Sequence, residues 1–167
     1  MELKNGNSSY ADLNFDADAE TTIDSLTFGF YAPNDIASGV DESIMGGINA
    51  SNEGILFIKR KNDDSIYSVN SGIIQSSAEP TQGLISISSD GAISTIRQGT
   101  TTLDTQTINT PAKATQSVFL LNRNDNGSPV ASQFSDDTIS ISFIADELTV
   151  TELGILETAI ETFLNSI

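Results

Sequence analysis

Three side chains that carry much of protein chemistry are missing: the 167 residues include no His, no Cys and no Trp. Without His and Cys, the chain cannot build a Ser-His-Asp or Cys-His nucleophile system. It also cannot hold zinc, iron or copper through His or Cys ligands. Disulfides are excluded too, so cysteine usage says nothing about the redox compartment. Only carboxylate, Lys or Tyr chemistry and hard-cation sites remain, and since no cofactor motif is present, we expect no cofactor.

Basic residues are scarce, with 7 Lys and Arg against 23 Asp and Glu, for a formal net charge of −16. Nucleic acids and anionic membranes bind clusters of Lys and Arg, and the only such cluster is Lys59–Lys61. The sequence also lacks an apolar run of about 18 residues and a signal-peptide pattern. It therefore predicts no nucleic-acid partner and no membrane insertion.

Apolar residues form 38% of the chain and alternate with polar ones in short blocks, a pattern typical of strands. Alternation occurs at residues 25–32, 54–61, 65–70, 84–88, 92–97 and 138–144. The apolar run at 118–122 indicates a strand covered on both faces, and Asp90-Gly91 indicates a hairpin turn. Roughly nine to eleven strands with regular turns predict an all-β fold, a two-sheet antiparallel jelly-roll sandwich in a single domain over residues 1–167.

The same alternation predicts which side chains are buried, with Ile139, Ile141 and Phe143 all on the inner face of one strand. The side chains expected to be buried are Phe28, Phe30, Phe57, Leu120, Ile141 and Phe143.

Only the C-terminus has helical periodicity. Thr149 and Glu152 form a capping-box pattern before an apolar stripe with helical spacing. The stripe is Leu153, Leu156, Ile160, Phe163, Leu164 and Ile167. We expect a structural helix over about 150–166 that docks on the sandwich, so that Leu156→Ala or Phe163→Ala costs about 2–5 kcal/mol.

The strongest candidate for chemistry is the run Asp16-Ala17-Asp18-Ala19-Glu20, because alternate residues of a strand share a face. Asp16, Asp18 and Glu20 could then serve glycoside hydrolysis, which needs paired carboxyl groups, or hold calcium. The glucanase pattern E-x-D-x-E begins with Glu, whereas this run begins with Asp16, and the chain has no Trp for a sugar cleft. A solvated strand face or turn is the favoured interpretation, and the three carboxylates are only weak metal candidates.

Two further patterns are weaker. Residues 122–127 fit N-x-N-x-N-G, as in an EF-hand loop, but the twelfth position is Gln133, so a turn is favoured. Tyr10, Tyr31 and Tyr67 could stack on sugar rings, although single Tyr residues in β-proteins more often pack in the fold.

The segments Asn5–Asn34 and Val118–Ile167 resemble the concanavalin A-like (LamG-type) jelly-roll domains of bacteriophage tail and other structural proteins. In that family N-G-x-x-x-Y-A precedes a strand ending in an aromatic such as Tyr31, and R-N-x-N-G, F-S and L-T-x-x-E follow in order near the end. The residues matching the later motifs are Arg123, Asn124, Asn126, Gly127, Phe134, Ser135, Leu148, Thr149 and Glu152. The match covers roughly half of the chain.

The resemblance implies a non-enzymatic virion protein, in a tail, fibre or head decoration, that acts in assembly or host attachment. Its partners would be other virion proteins, a second copy of itself, or a host-surface glycan. Because usual members carry further strands at the start, we expect an open sheet edge and a contact near Met1–Asn14. The alternatives are a carbohydrate-binding module of a bacterial surface or secreted protein and, with less support, a glycoside hydrolase.

Overall fold

Strands form most of the described chain, and they build two sheets that are antiparallel in almost every pairing. The computed structural model describes residues 10–20, 25–34, 42–49, 54–60, 65–70, 73–76, 82–90, 93–107, 116–135 and 138–167. For residues 17–18, 55–60, 65–70 and 73–76 only the backbone is described. Phe57 and Tyr67 fall in the second group, so the predictions about their side chains lie outside the described part.

The described part contains thirteen strands and two helical segments. The strands are β1 Ala11–Asp16, β2 Ser25–Ala32, β3 Glu42–Ile48, β4 Gly54–Arg60, β5 Ser65–Asn70, β6 Ile73–Ser76, β7 Gly83–Asp90, β8 Ile93–Gln98, β9 Thr101–Thr107, β10 Ser117–Leu120, β11 Asn124–Asp125, β12 Ser128–Pro129 and β13 Ile141–Ala145. The helical segments are α1 Ala17–Glu20, a single turn, and α2 Val150–Leu164.

One sheet has the strand order β1-β10-β3-β4-β5-β6, with the short hairpin β11–β12 attached to β3, and the other has the order β13-β2-β7-β8-β9. The second is called the five-stranded sheet below. Two packed sheets with one long C-terminal helix confirm the predicted jelly-roll sandwich. Strands β7 and β8 pair antiparallel from Ile85↔Gln98 to Asp90↔Ile93, as the predicted hairpin requires, and the turn at Gly91 lies outside the described residues.

The core lies between the sheets and draws on both of them. Its buried apolar side chains are Leu26, Phe28, Phe30, Ala32, Ile44, Met45, Ile85, Ile87, Ile96, Val118, Leu120, Leu121 and Ile139. The predicted burial of Phe28, Phe30 and Leu120 is therefore confirmed. The apolar run at 118–122 is also covered, but its strand ends at Leu120 because Leu121 adopts a left-handed backbone conformation with φ of 60°.

The prediction for Ile141 and Phe143 is wrong. Ile139 is buried in the core, but Ile141 and Phe143 are half-buried on the opposite, outer face of the five-stranded sheet. The register explains the difference: Phe143 pairs with Gly29, whereas Ile144 pairs with the core residue Phe28. Gly29 leaves room for the Phe143 ring, because an added Cβ would lie 3.0 Å from it.

Helix α2 covers part of that outer face. Its buried residues Leu153 and Ile160 pack with Leu84, and half-buried apolar side chains surround them. The capping box is present: Thr149 Oγ1 accepts a hydrogen bond from the backbone N–H of Glu152 (3.3 Å), and the Glu152 carboxylate accepts one from the backbone N–H of Thr149 (2.9 Å). The helix and its docking are thus confirmed. Among the described residues, neither helical segment is long and apolar enough to cross a bilayer.

The prediction that Phe163 belongs to the docked stripe is wrong, because its side chain is 55% exposed. It lies at the edge of the stripe in the last turn, where Leu164 occupies the position facing the sheet. The loss of about 2–5 kcal/mol expected for Phe163→Ala is therefore too large, because that range applies to buried side chains.

Candidate functional site

The outer face of the five-stranded sheet has an apolar half and a polar half. In the apolar half, Leu84, Tyr31 and Phe143 pack under α2. The polar half is roofed by residues 147–150, at the start of the helix, and contains a cavity of about 370 Å³. The lining residues of this cavity, called the Arg97 cavity below, are Ser88, Asp90, Ile93, Thr95, Arg97, Glu147, Leu148, Thr149 and Val150.

The part of the cavity formed by strands β7 and β8, called its floor below, is positioned by strand pairing. In the β7–β8 hairpin Ser86 pairs with Arg97, Ser88 with Thr95, and Asp90 with Ile93. Alternate residues of a strand share a face. The intervening residues Ile85, Ile87 and Ile96 belong to the core, so the six paired side chains point away from it. The polar positions of two alternating strands thus meet on one surface.

The roof is tied to the neighbouring strand β2 by two backbone donors. The N–H of Leu148 donates to Thr27 Oγ1 at 2.8 Å, and the N–H of Glu147 donates to Ser25 Oγ at 3.4 Å. Together with the capping box at Thr149, these bonds hold residues 147–150 over the floor. The roof therefore joins parts of the chain that lie more than a hundred residues apart.

A directed chain of hydroxyl groups leads into the cavity. Thr27 Oγ1 accepts a hydrogen bond from the N–H of Leu148, and it donates its own hydrogen to Ser88 Oγ at 3.1 Å in a buried contact. Ser88 Oγ in turn keeps its hydrogen for another acceptor, because a hydroxyl carries one donor and two acceptor positions. Ser88 is a cavity-lining residue, so it can donate to a molecule bound there.

Arg97 supplies the positive charge of the cavity. Its Nε and Nη1 atoms are shielded from solvent and have no hydrogen-bond partner among the described residues, and the same holds for the Oγ of Ser86. Burial lowers the pKa of Arg97, while the negative charge of Glu147 acts against that shift. The guanidinium nevertheless stays protonated at any physiological pH, so it lines the cavity with a positive charge.

Of the predicted tyrosine platforms, the two whose side chains are described, Tyr10 and Tyr31, do not line this cavity. Tyr10 is 43% exposed and stacks on Phe119 of β10, with ring centroids 4.4 Å apart and an interplanar angle of 25°. Tyr31 packs beneath α2, where burial, Glu161 and Glu157 together raise its pKa. Tyr67 is on β5, with its side chain outside the described part. The structure thus places Tyr10 and Tyr31 apart from the Arg97 cavity.

The carboxylate run is divided between a strand and a turn, in line with the favoured interpretation as a solvated strand face or turn. Strand β1 ends at Asp16, and residues 17–20 form the single turn α1, in which Asp16 Oδ1 accepts from the backbone N–H of Ala19 at 3.3 Å. Alternation therefore stops before Asp18 and Glu20, and the side chain of Asp18 is not described. Within the described residues, no three carboxylates are grouped so that they could hold a metal ion.

The loop at 122–127 is a turn with its amides already engaged. Asn124 donates to Ser117 O at 2.9 Å and accepts from the N–H of Gly127 at 2.8 Å. Asn126 and Gly127 have φ of 51° and 94°, the left-handed values that a tight Asn-Gly hairpin turn requires. The interpretation of this segment as a turn is confirmed.

Sequence reasoning missed the Arg97 cavity. Its floor residues look like the ordinary outward positions of two strands, and its roof follows them by about fifty residues. One signal was available: Arg97 is the only basic residue in the predicted hairpin, at an outward position of ISTIRQ. Which surface would cover that position could not be read from the alternation.

Comparisons with known proteins agree on the fold. No family model and no curated protein matches the sequence. Among solved structures, the CBM40 module of the Ruminococcus gnavus IT-sialidase is similar to this chain, with a TM-score of 0.68 and 12% sequence identity. The match covers 93% of this chain and 96% of the module. The same module has been solved bound to α2,3-sialyllactose.

Two longer proteins are similar over part of their length. The NanB sialidase of Streptococcus pneumoniae has a TM-score of 0.70 and 13% identity, and a Bacteroides ovatus protein assigned as carbohydrate-binding has a TM-score of 0.62 and 9% identity. They match 92% and 81% of this chain, which spans 27% and 41% of theirs, respectively. At such low identity the similarity shows the jelly-roll fold, and it gives no support to the bacteriophage part of the resemblance.

Proposed function

We propose that this chain is a non-catalytic carbohydrate-binding module and that the Arg97 cavity is its binding site. The carrying observation is the cavity itself. It has the size of a small-ligand site, the positive charge of Arg97, a hydroxyl hydrogen on Ser88 that is still available, carboxylate acceptors on Asp90 and Glu147, and an apolar margin formed by Ile93 and Val150. Sugars combine hydroxyl groups with apolar C–H faces, so they fit such a mixed lining.

The structural neighbours support this proposal over the virion role that the sequence suggested. Two of them carry carbohydrate binding in their descriptions, and one of these two, the R. gnavus module, has almost the same length as this chain. The NanB sialidase contains much more chain than the part matched here, and in this chain the turn α1 interrupts the carboxylate run after Asp16. A binding role without hydrolysis is therefore the better supported function.

A glycan array, followed by calorimetry on the strongest binder, tests the proposal. We expect at least one glycan to bind and Arg97→Gln to weaken it about tenfold or more, since a hydrogen bond to a charged group contributes about 1.5–3 kcal/mol. Arg123→Gln is the matched control: Arg123 is also half-buried, but it pairs with Asp125 at 3.1 Å beside the other sheet.

Folding of the Arg97→Gln variant is checked in parallel by urea denaturation. Because Nε and Nη1 of Arg97 have no described partner, we expect its free energy of unfolding to stay within about 1 kcal/mol of wild type. The proposal is wrong if the array shows no binder, or if both arginine variants bind as tightly as wild type. Release of sugar from the bound glycan would instead contradict the non-catalytic assignment.

A further inference from the structure

The charges around the Arg97 cavity are unequal. Arg97 is the one basic side chain among its lining residues, whereas Asp90 and Glu147 are both acidic. The local balance is therefore one positive charge against two negative charges, in a chain whose formal net charge is −16. The electrostatic field of the lining residues and that of the whole chain both disfavour a ligand that brings a further negative charge.

The hydrogen-bonding groups impose a second requirement. A guanidinium only donates, and an ionised carboxylate only accepts. The cavity thus combines two donating groups, the guanidinium of Arg97 and the hydroxyl of Ser88, with acceptors at Asp90 and Glu147. A carboxylate on the ligand could satisfy Arg97, but it would have nothing to donate to Asp90 or Glu147. Adjacent hydroxyl groups can do both, because each hydroxyl accepts and donates at once.

Apolar groups at the margin complete the fit. Ile93 is 51% exposed and Val150 is 42% exposed, and both line the cavity together with Leu148. A sugar ring that directs two hydroxyl groups inward can place its C–H face against these side chains. Contact of this kind removes exposed apolar surface from water on both partners.

From these observations we infer that the Arg97 cavity selects a neutral sugar unit, bound through a pair of adjacent hydroxyl groups, and discriminates against acidic sugars. The inference rests on the proposed function and names its substrate class. It also separates this chain from its R. gnavus neighbour, which has been solved with a sialylated ligand. Asp90 and Glu147 are the residues that determine the selectivity.

The experiment compares matched sugar pairs that differ only in a CH₂OH or carboxylate group, by calorimetry at neutral pH on the whole chain. The pairs are methyl glucoside with methyl glucuronide and methyl galactoside with methyl galacturonide, and lactose with 3′-sialyllactose is a third comparison. For the pair that binds, we expect the neutral member to bind about tenfold tighter.

The variant Glu147→Gln, alone and with Asp90→Asn, tests the cause. Removing these charges should narrow the preference to about threefold or less by strengthening binding of the acidic member. Glu161→Gln removes the same charge from the exposed face of α2 and should leave the preference unchanged.

Each outcome is decisive. Equal or tighter binding of the acidic members overturns the inference while leaving carbohydrate binding intact. A preference that Glu161→Gln reduces as much as Glu147→Gln also overturns it, because the net charge of the chain would then be the cause. If neither member of any pair binds and the glycan array shows no binder, both the inference and the proposed function fail.

Discussion

The buried side-chain amide of Asn122 forms hydrogen bonds with the backbone of Arg123 and of Val130, at the two ends of its loop. Its Nδ2 donates to Val130 O at 3.1 Å, and its Oδ1 accepts from the N–H groups of Val130 at 2.9 Å and Arg123 at 2.7 Å. The side chain is fully buried. An amide, with a donor and an acceptor on one planar group, matches the paired N–H and C=O of Val130. This residue therefore fixes the loop that the EF-hand-like pattern describes.

Replacing Asn122 with Ala should be destabilising, by about 1–3 kcal/mol, because the N–H groups of Val130 and Arg123 lose the side-chain acceptor that the buried amide provides. Urea denaturation gives the free energy of unfolding. Asn126→Gly is the control in the same loop: its φ of 51° suits Gly, so we expect a change below about 1 kcal/mol. A small loss for Asn122→Ala would mean that water replaces the amide.

At the scale of the element, α2 has one docked face and one exposed face. Leu153 is fully buried against Leu84, whereas Phe163 is 55% exposed. We expect Leu153→Ala to cost about 2–5 kcal/mol, as for other core truncations, and Phe163→Ala to cost less than about 1 kcal/mol. Chemical denaturation of both variants tests this difference. Equal losses would mean that Phe163 contributes to docking more than its exposure indicates.

The start of α2 should also be sensitive to acid. Hydrogen bonds from the backbone and the side chain of Thr149 lower the pKa of Glu152 below its ordinary value of 4.5. A lowered pKa means that the folded state holds the proton less tightly than the unfolded state. The resulting stabilisation is therefore present above the unfolded pKa and is lost as the pH falls through the folded pKa.

We expect Glu152→Gln to lower the melting temperature at neutral pH and to have a smaller effect at acid pH below the lowered pKa of Glu152, where wild type has lost the same interaction. Melting curves between these two pH values test the expectation. Glu161→Gln, on the same helix but outside the capping box, corrects for the change in net charge. An equal effect of Glu152→Gln at both pH values would contradict the role of ionisation.

The whole molecule is dominated by its negative charge. With a formal net charge of −16, the folded chain repels itself more than the expanded unfolded chain does. Raising the salt concentration from about 10 mM to about 0.5 M should therefore raise the melting temperature at neutral pH, because the screening length becomes short. Near pH 4.1, the isoelectric point, the same salt change should have little effect. No response to salt at neutral pH would show that the charges are already too far apart to matter.

Self-association stays a prediction at this scale. Strand β1 is at the end of the strand order of its sheet, and the predicted contact region Met1–Asn14 includes its first residues. Sedimentation of the purified chain over a wide concentration range tests this expectation, and a strict monomer throughout would contradict it. The virion location and the virion partners also stay predictions, to be tested by looking for the chain in purified particles.

The sequence by itself determined the features that depend on near neighbours along the chain. Alternation located β2, β7 and β8, the Asn126-Gly127 turn followed from backbone conformation, and the pair Thr149 and Glu152 marked the start of α2. Each of these features is decided within a few residues, where local geometry and hydrogen bonding dominate.

Only the tertiary structure decided which faces are covered and by what. A period of two tells which residues of a strand share a face, but it does not tell which face meets the core. Phe143 was therefore assigned to the wrong side, since α2 makes the outer face apolar as well. The Arg97 cavity has the same origin: Ser88 and Glu147 are 59 positions apart in the chain, and they meet because Leu148 bonds to Thr27 across the sheet.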